Sequence, residues 1–222
     1  MPEFLILKCQ GALQAWGGHT YEDYRPSHIF PTRSAVVGLL GACLGITRQQ
    51  QQQLKKLSDS FELTVLANPR YVEQRHFSGE RKARKMTLQK ITDYHTVLDA
   101  RRADGGKRDD AIVSRREYLC DAEFTLALAF KDSADYDLAT VVSAIKKPKY
   151  TPYLGRRSCP LQRPLYEAIV TADSVQHALE NSAGTIYSET PLNNSHTLQI
   201  RDLPLFGETR RFVTRPVYVL GG

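Results

Sequence analysis

Apolar residues recur along the chain with periods that predict four β-strands. Residues 4–9 (FLILKC) form a short continuous apolar run, which is typical of a central strand covered on both faces. Residues 61–65 alternate apolar with polar side chains, which predicts a half-exposed strand. Residues 124–130 alternate bulky with small side chains, so a strand there should turn its bulky face to the core. Residues 165–170 complete the set.

Two longer helices are predicted between these strands. Residues 35–44 are apolar on every side, so this helix must be buried, with Ser34 as its N-cap and Gly45 as its stop. Residues 133–147 carry apolar side chains at positions i, i+3, i+4 and i+7, with Ser133 as the expected N-cap. Both helices fall where a connection between strands is needed.

The order of the elements over residues 1–171 is β, α, β, insertion, β, α, β. This order predicts an α+β, ferredoxin-like (RRM-like) domain, an antiparallel sheet with two helices on one face. The insertion, residues 70–116, lacks apolar periodicity and is interpreted as an irregular extended hairpin that turns at Gly105–Gly106. Residues 172–222 contain short helical and strand-like segments and are expected to form a small β-rich extension packed on the domain.

The net charge of the protein is concentrated in the insertion. The 222 residues include 30 Lys and Arg against 24 Asp and Glu, a formal charge of +6. Residues 70–116 alone hold 13 basic and 7 acidic residues, so the rest of the chain is neutral. A basic hairpin carrying Tyr94 and His95, with Phe77 nearby, can track phosphates while rings stack on bases. The alternative is a solvated loop without a specific partner.

Two further segments have the composition of a nucleic-acid interface. Residues 146–163 contain six basic residues and no acid, together with Tyr150 and Tyr153. The alternative there is a proline-rich loop whose tyrosines pack on the sheet. Residues 25–34 lead into the buried helix, whose first N–H groups, with Arg33 and Ser34, would suit a phosphate. Ordinary helix capping also explains Ser34.

Other classes of function are not indicated. No apolar stretch approaches the roughly 20 residues that span a bilayer, and no signal segment opens the chain, so a cytoplasmic protein without a membrane partner is expected. The four cysteines are widely separated, and the six histidines form no familiar metal or catalytic spacing, so neither metal nor cofactor is predicted. Only metal-independent RNA cleavage remains conceivable, with His95 beside Tyr94 as the base.

Five segments resemble the CasD family, a subunit of the type I-E CRISPR surveillance complex Cascade. They follow one another in order over nearly the whole chain, although residues 70–90 and the part after residue 172 match less distinctly. The segments are LQAWG (13–17), RPSHIFPTRSAVVGLLGACLG (25–45), DYHTVLDAR (93–101), REYLCDAEFTLAL (116–128) and KPKYTPYLGRRSCPL (147–161).

The resemblance implies a repeat-associated (RAMP) protein with a ferredoxin-like domain and a protruding thumb hairpin. Such a protein supports antiviral defense: it binds the 5′ handle of CRISPR RNA, caps the CasC backbone, contacts the large subunit CasA and meets target DNA indirectly. In type I-E systems a separate subunit cuts the precursor RNA, whereas in a related subtype the homologous subunit is itself the nuclease. The motifs favour the non-catalytic branch; the alternative is a metal-independent endoribonuclease that processes CRISPR repeat RNA.

Contact residues are assigned by their chemistry within the matching motifs. The expected thumb contacts are His95, Arg101, Arg102, Lys107 and Arg108. The expected handle contacts are Arg25, Arg33, Ser34, Tyr150, Tyr153, Arg156 and Arg157.

Overall fold

The structure is a computed structural model that describes residues 1–75, 81–102, 104–107, 109–180, 183–207 and 211–221. Its strands are β1 (Glu3–Gln10), β2 (Leu13–Gln14), β3 (Trp16–Gly17), β4 (Tyr24–Arg25), β5 (Ser27–His28), β6 (Phe61–Ala67), β7 (Arg70–Arg75), β8 (Arg81–Met86), β9 (Gln89–Val97), β10 (Ile112–Cys120), β11 (Glu123–Phe130), β12 (Tyr166–Thr171), β13 (Thr185–Ser188), β14 (His196–Leu205) and β15 (Arg211–Leu220). Its helices are α1 (Arg33–Leu44), α2 (Gln51–Asp59), α3 (Leu138–Lys146) and α4 (Val175–Ala178).

A seven-stranded antiparallel sheet runs through the protein in the order β12-β1-β11-β6-β13-β15-β14. The four predicted strands are present as β1, β6, β11 and β12, and they are neighbours at one end of this sheet. The C-terminal strands β13, β15 and β14 continue the sheet beyond β6. The segment after residue 171 therefore joins the sheet edge to edge, while the division of the chain at that residue stays a prediction.

Both faces of the sheet are covered at β1. On one face Leu5 and Leu7 of β1 pack in a large core with residues of α1 and α3, and on the other Phe4 and Ile6 pack with residues that follow β12. The apolar run at residues 4–9 is therefore a strand covered on both faces, as predicted. The expectation that residues 61–65 form a half-exposed strand was confirmed at Glu62, which is exposed, but was wrong at Thr64, which is buried.

The helices begin at other residues than those predicted. Helix α1 starts after Thr32, so Ser34 lies in its first turn and does not cap it, whereas Gly45 ends the helix in the left-handed conformation (φ 79°), as predicted. Helix α3 begins later than expected, because the Asp137 side chain accepts a hydrogen bond from the Thr140 backbone N–H at 2.7 Å and caps it in place of Ser133. Among the described helices, none is long and apolar enough to cross a membrane.

Four charged side chains, Arg33, Glu189, Asp202 and Arg215, form what we call the buried charge cluster. The Asp202 carboxylate accepts hydrogen bonds from both the Arg33 backbone N–H (2.7 Å) and the Arg215 guanidinium (2.6 and 2.9 Å). Glu189 is ion-paired with both arginines. The Arg33 guanidinium also donates to the carbonyls of Ser58 and Phe61. The cluster ties the start of α1 to the C-terminal strands.

Two hairpins replace the single irregular hairpin that the sequence predicted between β6 and β11. The short hairpin consists of β7 and β8, which pair with each other in a separate two-stranded sheet. The long hairpin consists of β9 and β10, which pair over nine residues from Gln89↔Cys120 to Val97↔Ile112. Strands β2 and β4 flank β10, so the base of the long hairpin lies against the segment that precedes α1.

Candidate nucleic-acid interface

The tip of the long hairpin presents the basic side chains that the sequence assigned to a thumb. Arg101 and Lys107 form a β-bridge, and the Arg102 backbone N–H donates to the Gly106 carbonyl at 2.7 Å. Gly105 adopts a positive φ of 86°, which favours glycine at this turn. The turn therefore forms at Gly105–Gly106, as predicted. Arg108 lies outside the described residues.

The tip cations have weak partners. Arg102 lies 3.6 Å from Asp109, and Lys107 lies 3.8 Å from Asp99, with all four side chains exposed. Such exposed pairs typically contribute less than about 1 kcal/mol, so they are easily exchanged for a stronger anion. The tip is therefore chemically able to bind phosphate groups.

Glu117 organises one face at the base of the long hairpin. Its carboxylate accepts hydrogen bonds from the Tyr24 hydroxyl, from the Ser27 backbone N–H (2.9 Å) and from Lys90 (3.2 Å). Burial alone would raise the pKa of this carboxyl, but the three hydrogen bonds outweigh burial and lower it. Lys90 also donates to the Ser27 carbonyl at 2.9 Å, which holds β9 against the segment before α1. Neither Glu117 nor Lys90 lies in a sequence pattern that predicts this role.

A second contact fixes β10 at the same place. The Arg115 guanidinium donates two hydrogen bonds to the Asp23 carboxylate, at 3.0 and 3.1 Å, and lies 5.6 Å from the centre of the Tyr24 ring. The hydrogen bond from Arg115 lowers the pKa of Asp23. These contacts thus tie the base of the hairpin to the segment that precedes α1.

Arg156 connects the three segments that the sequence analysis had treated separately. Its guanidinium donates to the carbonyls of Glu117 and Arg25, at 3.0 Å each, and lies 4.8 Å from the centre of the Tyr118 ring. The loop that carries it, the strand β4 before α1 and the long hairpin therefore meet at one place. The next side chain, Arg157, is exposed, and no partner is found for it within the described part of the chain.

Glycine 155 sets the position of this arginine pair. Its φ is +85°, and a Cβ atom there would overlap the carbonyl oxygen of Ala15. The backbone N–H of Ala15 donates to the Leu154 carbonyl at 3.1 Å on the same side. The segments LQAWG and TPYLGRR are therefore in direct contact, and the glycine permits this close approach.

His95 lies at the same junction, on the face of the hairpin that meets Arg156. Its Nε2 is 2.8 Å from the Tyr118 hydroxyl and 3.2 Å from the Asp93 carboxylate. Tyr94 is the next residue in the strand, so its ring points to the opposite face, where it is 69% exposed. The pair His95–Tyr94 that the sequence offered for RNA cleavage therefore does not converge on one reacting atom; the hydroxyl beside His95 is that of Tyr118.

The remaining predicted handle residues are dispersed. Arg25 is partly exposed and donates to the Glu22 carbonyl at 2.5 Å, and Tyr153 forms a β-bridge with Pro160. Tyr150 is 47% exposed, and its backbone N–H donates to the Ala42 carbonyl at 3.1 Å, near the end of α1. Tyr150 therefore lies by the end of α1, while Arg25 and Tyr153 flank the Arg156 junction.

The start of α1 differs most from the expectation. Arg33 is only 6% exposed, and the cluster carboxylates and two carbonyls occupy its hydrogen-bonding groups. The Asp202 carboxylate takes the helix N–H that the sequence had offered to a phosphate, a position where negative charge is favourable. Ser34 is half-buried in the first turn, with its hydroxyl 3.4 Å from that of Thr32. The geometry favours a structural role for Arg33.

Sequence and structure comparisons relate the whole chain to one family. The family described as "CRISPR-associated protein (Cas_Cas5)" matches residues 4–218. The chain is 41% identical over 227 residues to "CRISPR system Cascade subunit CasD" of Escherichia coli (strain K12), covering 100% of this chain and 97% of that protein.

Two solved structures share the fold. A chain of "CRISPR RNA-guided surveillance complex" matches with a TM-score of 0.71 and 24% identity, covering 98% of this chain and 89% of that chain. The chain of "Crystal structure of Cas protein" matches with a TM-score of 0.62 and 24% identity, covering 98% and 93%. At this level of identity the two matches concern the fold alone.

Proposed function

Since the chain belongs to the CRISPR-associated Cas5 family, we propose that it is a CasD-type subunit of a Cascade surveillance complex and that it binds the 5′ handle of CRISPR RNA without cutting it. The observation that carries this proposal is the junction around Arg156, where three segments resembling CasD come together at the base of the long hairpin, whose tip is basic. Basic groups at this junction neutralise handle phosphates, and the hairpin beside it meets the guide.

The long hairpin is the proposed thumb. Its base is fixed by Glu117 and Arg115, and its tip carries Arg101, Arg102 and Lys107 on an exposed turn. A base tied to the domain and a charged tip suit an element that presses on a strand of RNA and sets where guide pairing begins. Arg108 belongs to the same proposed tip by its position in the sequence.

The proposed handle surface is smaller than the sequence suggested. We retain Arg25, Tyr153, Arg156 and Arg157, which lie around one junction, and Tyr150 and Ser34 as flanking contacts near α1. Arg33 is left out, because it is only 6% exposed and its guanidinium is hydrogen-bonded inside the protein, whereas Arg156 is hydrogen-bonded but partly exposed.

The core that carries these surfaces is proposed to be the ferredoxin-like domain of RAMP proteins. The strand order β12-β1-β11-β6, with α1 and α2 joining β1 to β6 and α3 joining β11 to β12, supports this proposal. As a CasD-type subunit the protein caps the CasC backbone and contacts CasA. The complex brings it to target DNA, and it acts in the cytoplasm.

Co-expression with the other Cascade subunits and a guide tests the proposal. RNA crosslinked to this chain, once sequenced, should come from the 5′ handle and the adjoining first spacer nucleotides. Crosslinks scattered over the spacer, or over unrelated RNAs, would contradict handle binding.

The competing function is a metal-independent endoribonuclease. The purified protein, incubated with CRISPR repeat RNA in EDTA, should leave the RNA intact. Specific cleavage that disappears in His95→Ala and in Tyr118→Phe would replace the proposed function by the enzymatic one, because those two side chains lie 2.8 Å apart.

A further inference from the structure

The short hairpin is a second basic projection, separate from the proposed thumb. Strands β7 and β8 pair only with each other among the described strands, and every side chain of β8 is exposed. Its sequence, RKARKM, places Arg81, Lys82, Arg84 and Lys85 within one strand. A two-stranded hairpin without a packed face is marginally stable in water, so neither core packing nor sheet extension explains why the chain carries this one.

The charges of the short hairpin lie on both of its faces. Lys82 and Arg84 share one face, opposite Gln74 and Val72 of β7, and Lys85 lies on the other face, opposite Tyr71. Charged side chains on the same face of a strand are about 7 Å apart. Both sides of the ribbon can therefore contact anions at the same time.

Few carboxylates neutralise these cations. Arg81 lies 3.5 Å from Glu73, and Arg70 at the base of the hairpin lies 3.4 Å from Asp121, both in exposed pairs. Over the residues that the structure describes, no hydrogen bond or ion pair is found for Arg84 or Lys85. These two side chains hold an uncompensated positive charge at the surface.

The sequence of the short hairpin, residues 70–86, has two aromatic rings, Tyr71 and Phe77, against six basic residues. Tyr71 is its one aromatic side chain in the described ranges, near the base of the hairpin. Binding of a single strand generally combines cations with several stacking rings, whereas a duplex has its bases already stacked and exposes mainly phosphates. The composition therefore favours a duplex over a single strand.

From these observations we infer that the short hairpin binds the phosphate backbone of duplex DNA. The major groove of B-DNA is wide enough for a two-stranded β-ribbon, and cations on both faces of the ribbon would meet phosphates of the two groove walls. The deep, narrow major groove of an RNA duplex does not admit such a ribbon. The inference rests on the proposed function, since it places this surface in a complex that meets target DNA.

The test compares two variants in the assembled complex. In Arg84→Ala/Lys85→Ala, guide content and subunit stoichiometry should be unchanged, while affinity for a random-sequence 30-base-pair DNA duplex without a target site falls about tenfold. The slope of log affinity against log salt should decrease by about 0.9 for each phosphate that the variant no longer neutralises. The matched control, Arg84→Lys/Lys85→Arg, keeps both charges and should keep duplex affinity.

Three results would overturn the inference. The first is unchanged duplex affinity in the alanine variant, with intact assembly. The second is unchanged duplex affinity together with weaker binding of single-stranded RNA of the same length, which would assign the hairpin to the guide. The third is loss of a protein subunit from the complex, which would assign it to a protein interface. Failure of guide binding in the unmodified complex would instead contradict the proposed function, so the two failures are distinguishable.

Discussion

Arginine and lysine side chains occur in two contrasting regions of this protein. In the buried charge cluster, Arg33 and Arg215 are at most 9% exposed and are paired with carboxylates from distant parts of the chain. On the short hairpin and at the tip of the long hairpin, basic side chains are exposed, and the ion pairs of Arg70, Arg81, Arg102 and Lys107 are 3.4 to 3.8 Å long. A basic side chain is therefore available to a polyanion only where the fold has not already paired it with protein carboxylates or carbonyls. The sequence does not distinguish the two situations.

The largest expected effect comes from breaking the buried charge cluster. Asp202→Ala removes one partner of Arg215 and the carboxylate at the α1 N-terminus, which leaves two buried arginines with the single carboxylate of Glu189. The free energy of unfolding should fall by about 3–5 kcal/mol, measured by denaturant titration.

The matched control for the cluster is Asp109→Ala. The Asp109 side chain is 97% exposed beside Arg102, so its removal should change the free energy of unfolding by less than about 0.5 kcal/mol.

If Arg33→Ala proved as stable as the unmodified protein but released guide RNA, Arg33 would belong to the interface, as the sequence suggested.

The neighbours Arg156 and Arg157 allow a hydrogen-bonded and an exposed arginine to be compared within one loop. Arg156→Ala loses two hydrogen bonds to carbonyls and a ring interaction, so it should lower the free energy of unfolding by about 1.5–3 kcal/mol and also reduce handle retention. Arg157→Ala should reduce handle retention alone. Thermal unfolding and RNA co-purification of the two variants measure these outcomes, and equal losses of stability would contradict the distinction.

Reversing the thumb charges tests the exposed region by itself. Replacing Arg101, Arg102 and Lys107 by Glu should leave the free energy of unfolding within about 0.5 kcal/mol of the unmodified value. Guide incorporation should weaken, and the salt slope for single-stranded RNA should decrease by about 0.7 for each phosphate left without a cation. Unchanged complex yield and slope would remove these residues from the RNA interface.

The smallest expected effect concerns His28, which lies between the two regions. Burial lowers the pKa of His28, Asp202 of the cluster partly raises it, and Lys90 of the hairpin base lowers it further. The unfolded chain therefore takes up a proton near pH 6.5 that the folded chain resists, so stability should fall as the pH drops below about 6.5. His28→Gln should flatten this dependence in unfolding titrations between pH 7.5 and 5; an unchanged profile would assign it to another group.

Much of the fold was predictable from the sequence, because burial imposes a period on strands and helices. The runs at residues 4–9 and 124–130 and the stripe from Leu138 to Ile145 each match a packed element. Strand β8 was not predicted, because it buries neither face and its residues therefore need no alternation. The helix caps were misplaced, because Ser34 and Ser133 are as suitable by type as Thr32 and Asp137.

The candidate site was predictable by segment but not by individual side-chain partner. The basic and aromatic segments do meet, yet the carboxylate that occupies the start of α1 comes from Asp202, 169 residues after Arg33. Glu117 and Lys90, which hold the base of the long hairpin, have no sequence pattern that distinguishes them from surface charges. Such partners depend on the tertiary fold, which no local pattern encodes.

The position of β15 has a consequence for synthesis of the chain. This strand lies between β13 and β14 and pairs with both, although it is made after every other strand. While a ribosome is still adding these residues, Arg215 is missing and the carboxylate of Asp202 lacks its guanidinium partner. A nascent chain arrested before residue 211 should therefore be protease-sensitive at the start of α1 and become resistant once β15 has emerged.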